Sequence, residues 1–233
     1  MKLTQFIISA IAIGYLNIAN AQEIEKKQPL TIDSYLIGKQ KQQELEATEK
    51  KYSTQQIYDG IRSAGELYSM ELSEAIQKGT LKGWSLASAN FDRGLRLKDL
   101  LSGRAEQGDG LALFYSGLLA GEYAEKIQKN ATSRSLNEMA QEEYRKSINY
   151  FKKACNLNWG SACWNVGVIY RDGTGVIPSG LAASEWFYKS GMIFLKANDR
   201  ENALTALEAI QAIDKQHILG KKLSDALIKT APK

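Results

Sequence analysis

Ala154-Cys155-Asn156-Leu157-Asn158-Trp159-Gly160-Ser161-Ala162-Cys163-Trp164-Asn165-Val166-Gly167 aligns without gaps with a stretch fifty residues earlier, Arg104-Ala105-Glu106-Gln107-Gly108-Asp109-Gly110-Leu111-Ala112-Leu113-Phe114-Tyr115-Ser116-Gly117. Ala112 matches Ala162 and Gly117 matches Gly167. Self-similarity at such a period marks stacked supersecondary units, each too small to bury its own apolar face. The pattern describes two antiparallel helices with a turn at Gly108 or Asn158, where small residues let the next helix approach closely. The expected fold is all-α, an antiparallel helix-hairpin solenoid.

Working outward, the second copy continues as Val168-Ile169-Tyr170-Arg171-Asp172-Gly173-Thr174-Gly175-Val176. Gly173 and Gly175 stop the helix and supply backbone angles that other residues resist. A new helix opens near Ser179 with Ala182-Ala183, Trp186-Phe187 and Lys189. Upstream, Ile57, Ile61, Ala64, Leu67, Tyr68, Leu72 and Ile76 recur at helical steps, closed by Lys78-Gly79. A further helix is predicted over about Ser85 to Gln107, with Leu86, Phe91, Leu95, Leu97 and Leu100-Leu101 inward. Sustained two-residue alternation is absent, which argues against a sheet.

The segment from Lys146 to Gly191 closely resembles a Sel-1-like repeat. Val166-Gly167-x-x-Tyr170, Gly173-x-Gly175-Val176 and Ala183-x-x-Trp186-Phe187-x-Lys189 stand where that family's motifs fall. The first copy is degenerate: it has Ala120 in place of the tyrosine, lacks the Gly-x-Gly-Val turn and gains roughly a dozen residues between Glu122 and Met139. Gly191, Phe194, Ala203, Leu207, Ile210 and Ile213 fall at the spacing of a tetratricopeptide-like unit. Asn198-Asp199-Arg200 makes its turn, with Asp199 as cap, and an amphipathic helix near His217 to Lys229 closes the stack. The resemblance implies a tetratricopeptide-like superhelix and a role in protein–protein interaction. It is nearest to the cysteine-rich, secreted bacterial branch of the family.

The chain divides into residues 1–21, a cleaved signal peptide; 22–54, a flexible or solvated helical leader; and 55–104, helices that match no named pattern. Residues 105–191 are the two Sel-1-like repeats, and 191–233 the tetratricopeptide-like unit with its cap. The first segment has Met1-Lys2, an apolar run from Phe6 to Leu16 and a small-x-small site at Ala19-Asn20-Ala21 before Gln22. Its apolar run falls well short of the ~20 residues of a membrane-spanning helix. No membrane insertion is expected after cleavage, and the expected location is the periplasm. The net charge of +4 becomes +3 without Lys2, a mild balance that gives no argument for nucleic acid.

Cys155 and Cys163 sit eight positions apart across the interhelical turn. In an exported protein an isolated even pair reads as a disulfide, against the alternative of two buried thiols. In the first copy Ala105 and Leu113 occupy the corresponding places, so packing replaces the bond. One histidine, His217, gives too few ligands for zinc, and no cofactor or metal is expected. No Gly-x-Ser-x-Gly elbow occurs, no serine stands three residues before a lysine and no Lys-Thr-Gly follows. No catalytic residues are assigned. Asn130-Ala131-Thr132 fits a glycosylation acceptor, relevant only to a eukaryotic secretory route.

In both copies the first helix carries an aromatic residue at the same step, Phe114 and Trp164. Leu118 and Val168 follow one turn on, and Arg171 a turn further. Such a strip has the composition of an interface core, and it is a candidate partner groove with Trp159 as a second contact. The same pattern also fits a strip buried as core, and the sequence leaves both readings open. The leading functional expectation is an envelope scaffold binding another exported protein or a secretion-type assembly. A peptidoglycan- or β-lactam-binding cell-wall protein and an assembly factor for exported proteins are the alternatives.

Overall fold

The structure is a computed structural model. It describes residues 40, 43–78 and 81–230, with side chains of the second long helix described from residue 87. The signal-peptide reading and most of the leader therefore lie outside the described residues. The chain divides at Tyr52/Ser53 into two compact units. In the first, residues 43–49 form a helix, and Thr48 Oγ1 donates to the Glu44 carbonyl at 2.8 Å.

The second unit is an α–α helical repeat, with no strand among its described residues. Its elements are α1 (Thr54–Lys78), α2 (Leu81–Glu106), α3 (Gly110–Lys129), α4 (Arg134–Asn156), α5 (Gly160–Asp172), α6 (Gly180–Lys196), α7 (Arg200–Ile213) and α8 (Ile218–Lys229). Each helix packs against the next, the most extensive contacts lie within the pairs α1/α2, α3/α4 and α5/α6, and α8 closes over α6 and α7. The Asp199 cap expected from the sequence is in place, and Asp109 and Ser179 cap their helices in the same way. Asp109 accepts from the N–H groups of Leu111 and Ala112, Ser179 from Ala182 and Asp199 from Asn202. Burial pushes the Asp109 carboxyl upward. Its bonds from Thr54, Ala112 and Leu111, together with the Arg104 charge, outweigh that and hold it below its ordinary value.

One turn recurs three times. Gly108, Asn158 and Asn198 all take left-handed backbone, with φ of 85°, 62° and 61°. The N–H one residue later donates five residues back in each, Asp109 to Arg104, Trp159 to Ala154 and Asp199 to Phe194, at 3.0, 3.1 and 2.9 Å. Flanking each turn is a pair of facing positions filled by Ala105 and Leu113, Cys155 and Cys163, and Leu195 and Ala203. The outer turns carry one small and one large side chain at these positions, and the middle turn carries two cysteines. Cys155 and Cys163 are bonded, with Cα atoms 4.9 Å apart. The middle turn also lacks a side-chain cap, because Trp159 holds that position. A missing Asp cap costs about 1 kcal/mol, whereas closing so short a loop contributes about 2.5 kcal/mol on the chain-entropy model. The covalent bond more than offsets the missing cap.

Within each repeat, the two helices meet at glycine. A Cβ on Gly117 would lie 2.7 Å from Phe151, and one on Gly167 would lie 2.6 Å from Phe187. Phe187 is fully buried among Ala183, Ala203, Ala206, Ile210 and Leu223, the core of the C-terminal half. The extra residues of the first copy form no long loop. They lengthen the helices, so that α3 and α4 hold 20 and 23 residues against 13 and 17 in α5 and α6.

Three positions differ from the sequence reading. Phe91 and Leu95, expected inward on α2, are 42% and 47% exposed, and Ile76 on α1 is 47% exposed. The inner edge of α2 is set by Leu97, Leu101 and Ala105, and Leu95 lies about 200° around the helix from Leu97. On α1 the adjacent Ala75 is buried in place of Ile76, since a small residue lets α2 come close. The helix predicted from Ser85 begins four residues earlier, at Leu81.

Two stability outcomes follow from these contacts. Gly167→Ala gains up to about 1 kcal/mol of helix propensity but drives a methyl into Phe187, an overpacking cost of about 1–3 kcal/mol. It should lower the denaturation midpoint, whereas Gly103→Ala, with open space around its Cβ, should raise it. Chemical denaturation of both variants checks the pair, and a midpoint for Gly167→Ala at or above that of the parent would refute the close-contact argument. Reducing the Cys155–Cys163 bond should lower the melting temperature while the far-ultraviolet helical signal persists below the transition. Alkylation before reduction should modify neither cysteine.

Candidate functional site

A groove of ≈ 1180 Å³ lies between the first helices of the two repeat copies. One wall is a single face of α3, including Leu118, Gly121, Glu122 and Glu125. The other is the face of α5 carrying Asn165, Val168, Ile169 and Asp172, with the loop Gly173–Pro178. Tyr144, Ser147 and Phe151 of α4 form part of the lining.

The loop is shaped by its two glycines. Gly173 ends α5 in left-handed backbone, and a Cβ there would lie 2.4 Å from Pro178. Gly175, with φ of 69°, presses on α4 so tightly that a Cβ would lie 2.3 Å from that of Tyr144. Both conditions select glycine. The loop base is tied by the Ser179 N–H donating to the Tyr170 carbonyl at 2.8 Å. This docking leaves Ile177 88% exposed at the groove margin.

Tyr144 is buried, and its hydroxyl donates to Gln128 Oε1 at 2.8 Å. Burial pushes its pKa above the ordinary phenol value, and the Glu125 carboxylate adds to that while Lys129 opposes it. The hydroxyl therefore stays a hydrogen-bond donor at neutral pH. Ser147, 2% exposed, donates to the Gly117 carbonyl at 2.7 Å, so its hydroxyl is engaged in holding α3 to α4. Glu125 pairs with Lys129 at 2.7 Å, and the Arg171 guanidinium pairs bidentately with Asp172 at 2.7 and 3.0 Å. Arg171 holds the Asp172 carboxyl below its ordinary pKa.

The strip read from the sequence is divided by the structure. Leu118 and Val168 line the groove, whereas Phe114, Trp164 and Arg171 do not. Phe114 is half-buried with its ring centroid 5.8 Å from Phe151 and 6.4 Å from Trp159. Trp164 is half-buried with its ring 4.8 Å from Phe187, against the C-terminal core. Trp159 turns toward Phe114 and Gly110 of the preceding repeat, so its ring joins successive copies. His217 caps α8, its Nδ1 accepting from the Leu219 N–H at 3.2 Å. The sequence reading missed Ile169, Glu122 and Tyr144. Ile169 and Asp172 could have been found from the spacing of Asn165, Val168, Ile169 and Asp172, which covers one helical face.

Among the described residues no cluster of histidine, cysteine and carboxylate side chains could hold a metal ion. No helix among them is long and apolar enough to cross a membrane. The fold and groove thus define a helix-hairpin repeat protein with an open cleft between successive repeats. No family model matches the chain, and no solved structure matches it. Two curated relatives do, both named "Putative beta-lactamase HcpC", from Helicobacter pylori strains 26695 and J99. Each is 34% identical over 58 residues, which is 25% of this chain and 20% of the relative. The matched segment therefore spans about a fifth of each relative's length. This partial likeness and the all-helical repeat agree with the resemblance to Sel-1-like repeats.

The placement of Trp164 separates packing from binding. Trp164→Ala should cost about 2–3 kcal/mol of folding stability, below the 3–5 kcal/mol typical of a fully buried aromatic. Leu118→Ala, at the groove wall, should cost less. Urea denaturation of the two variants measures the difference, and equal midpoints would show that Trp164 is not part of the C-terminal core.

Proposed function

We propose that the chain is an exported, periplasmic interaction scaffold that holds another envelope protein or a secretion-type assembly, with the inter-repeat groove as its contact surface. The observation carrying this reading is the groove itself. Leu118, Val168 and Ile169 line a cleft bordered by an almost fully exposed Ile177. Concave apolar surfaces with a few polar groups are the usual form of a recognition site, and stacked helical hairpins use such surfaces for partners. The Ala19-Asn20-Ala21 pattern and the disulfide support an oxidising, exported location. The engagement of Ser147 and His217 in structural hydrogen bonds favours binding over catalysis.

A second reading, binding of peptidoglycan or a β-lactam, is favoured by one observation, the name borne by the two relatives. The readings separate in one experiment. A photo-crosslinking residue placed at Ile177 or Leu118 in the native host should give a discrete protein adduct, and Val168→Asp should abolish it. Fractionation should place that adduct in the periplasm with residues 1–21 absent by intact mass. A labelled penicillin that binds stoichiometrically, with no protein adduct at either position, would instead establish the second reading.

A further inference from the structure

On α4, α5 and α6, away from the groove, five side chains converge: Lys152 and Asn156 from α4, Tyr170 from α5, and Trp186 and Lys189 from α6. Both ammonium groups lie over the same indole. Lys152 Nζ is 5.7 Å and Lys189 Nζ 5.3 Å from the centroid of Trp186. Lys152 also sits 5.3 Å from the Tyr170 ring centroid and donates to its hydroxyl oxygen at 3.1 Å. Lys189 donates to Asn156 Oδ1 at 2.9 Å. Asn156 follows Lys152 by one helical turn, so Lys189 is tied to the same face of α4 that carries Lys152. The residues come from three helices and are all half-buried except Asn156.

Like charges gathered around one ring repel, and half-buried charges are ordinarily paired. The ion pairs among the described residues include neither lysine. Glu185 stands four residues before Lys189 on α6, the spacing of a helical ion pair, yet the ammonium reaches Asn156 instead. The indole face offsets part of the repulsion. The remaining hydrogen-bonding capacity decides the chemistry. The Tyr170 oxygen and the Asn156 carbonyl are each engaged by a lysine. What is left is chiefly donors: two N–H groups on each ammonium, the Tyr170 O–H and the Asn156 amide N–H groups, against one remaining lone pair on each of the two oxygens.

We infer that Lys152, Lys189, Tyr170 and Asn156, gathered around Trp186, form a binding site for a tetrahedral oxyanion, the phosphate or sulfate group of a ligand. Four donor side chains suit an anion with three or four acceptor oxygens better than the two oxygens of a carboxylate. The indole attracts both ammonium groups before the anion arrives. It is independent of the groove reading, and failure of either leaves the other intact.

The test is a nuclear magnetic resonance titration of the Trp186 indole N–H signal in the mature protein with sodium phosphate, against sodium chloride at matched ionic strength. Phosphate should give a saturable shift in the millimolar range that chloride does not reproduce. Lys152→Gln combined with Lys189→Gln should weaken it at least about tenfold. Lys152→Arg should retain binding and confirms that charge is what matters. Unchanged thermal melting of each variant separates lost binding from lost fold. Flotation with phosphatidylglycerol against phosphatidylcholine vesicles distinguishes the source. Lysine-dependent flotation with the anionic lipid alone assigns the phosphate to a membrane headgroup, and a response to free phosphate assigns it to a soluble ligand. A phosphate shift no larger than chloride's together with no lysine-dependent flotation overturns the proposal, as does a response that survives the double glutamine variant.

Discussion

The structure of the repeat region depends on a close approach of helices that only glycine permits. Gly117 and Gly167 each sit against a phenylalanine ring, Phe151 and Phe187, at distances that leave no room for a Cβ. Because protein interiors are packed to near-crystalline density, these two contacts fix how near the helices of each hairpin lie. They also determine what is left over. With α3 held to α4 and α5 to α6, the exposed faces of α3 and α5 border a cleft, and Gly117 and Phe151 belong to its lining. The same contact that closes the core therefore shapes the surface.

The second constraint is the repeated turn. A left-handed residue at 108, 158 and 198 reverses the chain identically each time, although glycine supplies that conformation once and asparagine twice. Three residue pairs flank that one geometry: Ala with Leu, Cys with Cys, and Leu with Ala. The disulfide occupies the turn whose N-terminal cap is a tryptophan rather than an aspartate. Covalent closure there replaces an interaction that the neighbouring turns obtain from a side-chain hydrogen bond.

The two candidate sites have opposite characters. The groove is apolar along Leu118, Val168 and Ile169, and its carboxylates Glu122, Glu125 and Asp172 are each paired with a neighbouring cation. The cluster around Trp186 is a site where donors outnumber acceptors. An apolar cleft suits a segment of another protein, and a donor cluster suits an anion. Both arise where successive repeats meet, because only there do side chains from three helices come within reach of one another.

Much of the fold was legible in the residues themselves. The fifty-residue self-match, the small residues at Ala112, Gly117, Ala162 and Gly167, the helix start at Ser179 and the Asp199 cap specify hairpins through local chemistry that acts within one or two turns. The cysteine pair was legible for the same reason, since its partners lie across one short turn. The candidate site was legible only in part. Helical periodicity identifies the side of α3 and α5 that bears Phe114, Leu118, Trp164 and Val168, but it cannot say which neighbour covers each residue. The tertiary structure decided that. It laid Trp164 on Phe187 from the following helix and Phe114 beside Phe151 and Trp159, leaving Leu118 and Val168 at the cleft. Tyr144 and the Gly173–Pro178 loop joined the site because the loop docks on a helix of the preceding repeat, some thirty residues away in the chain. Sequence determines which face of a helix is apolar, while burial depends on contacts between helices that are distant in sequence, and those contacts exist only once the repeats have stacked.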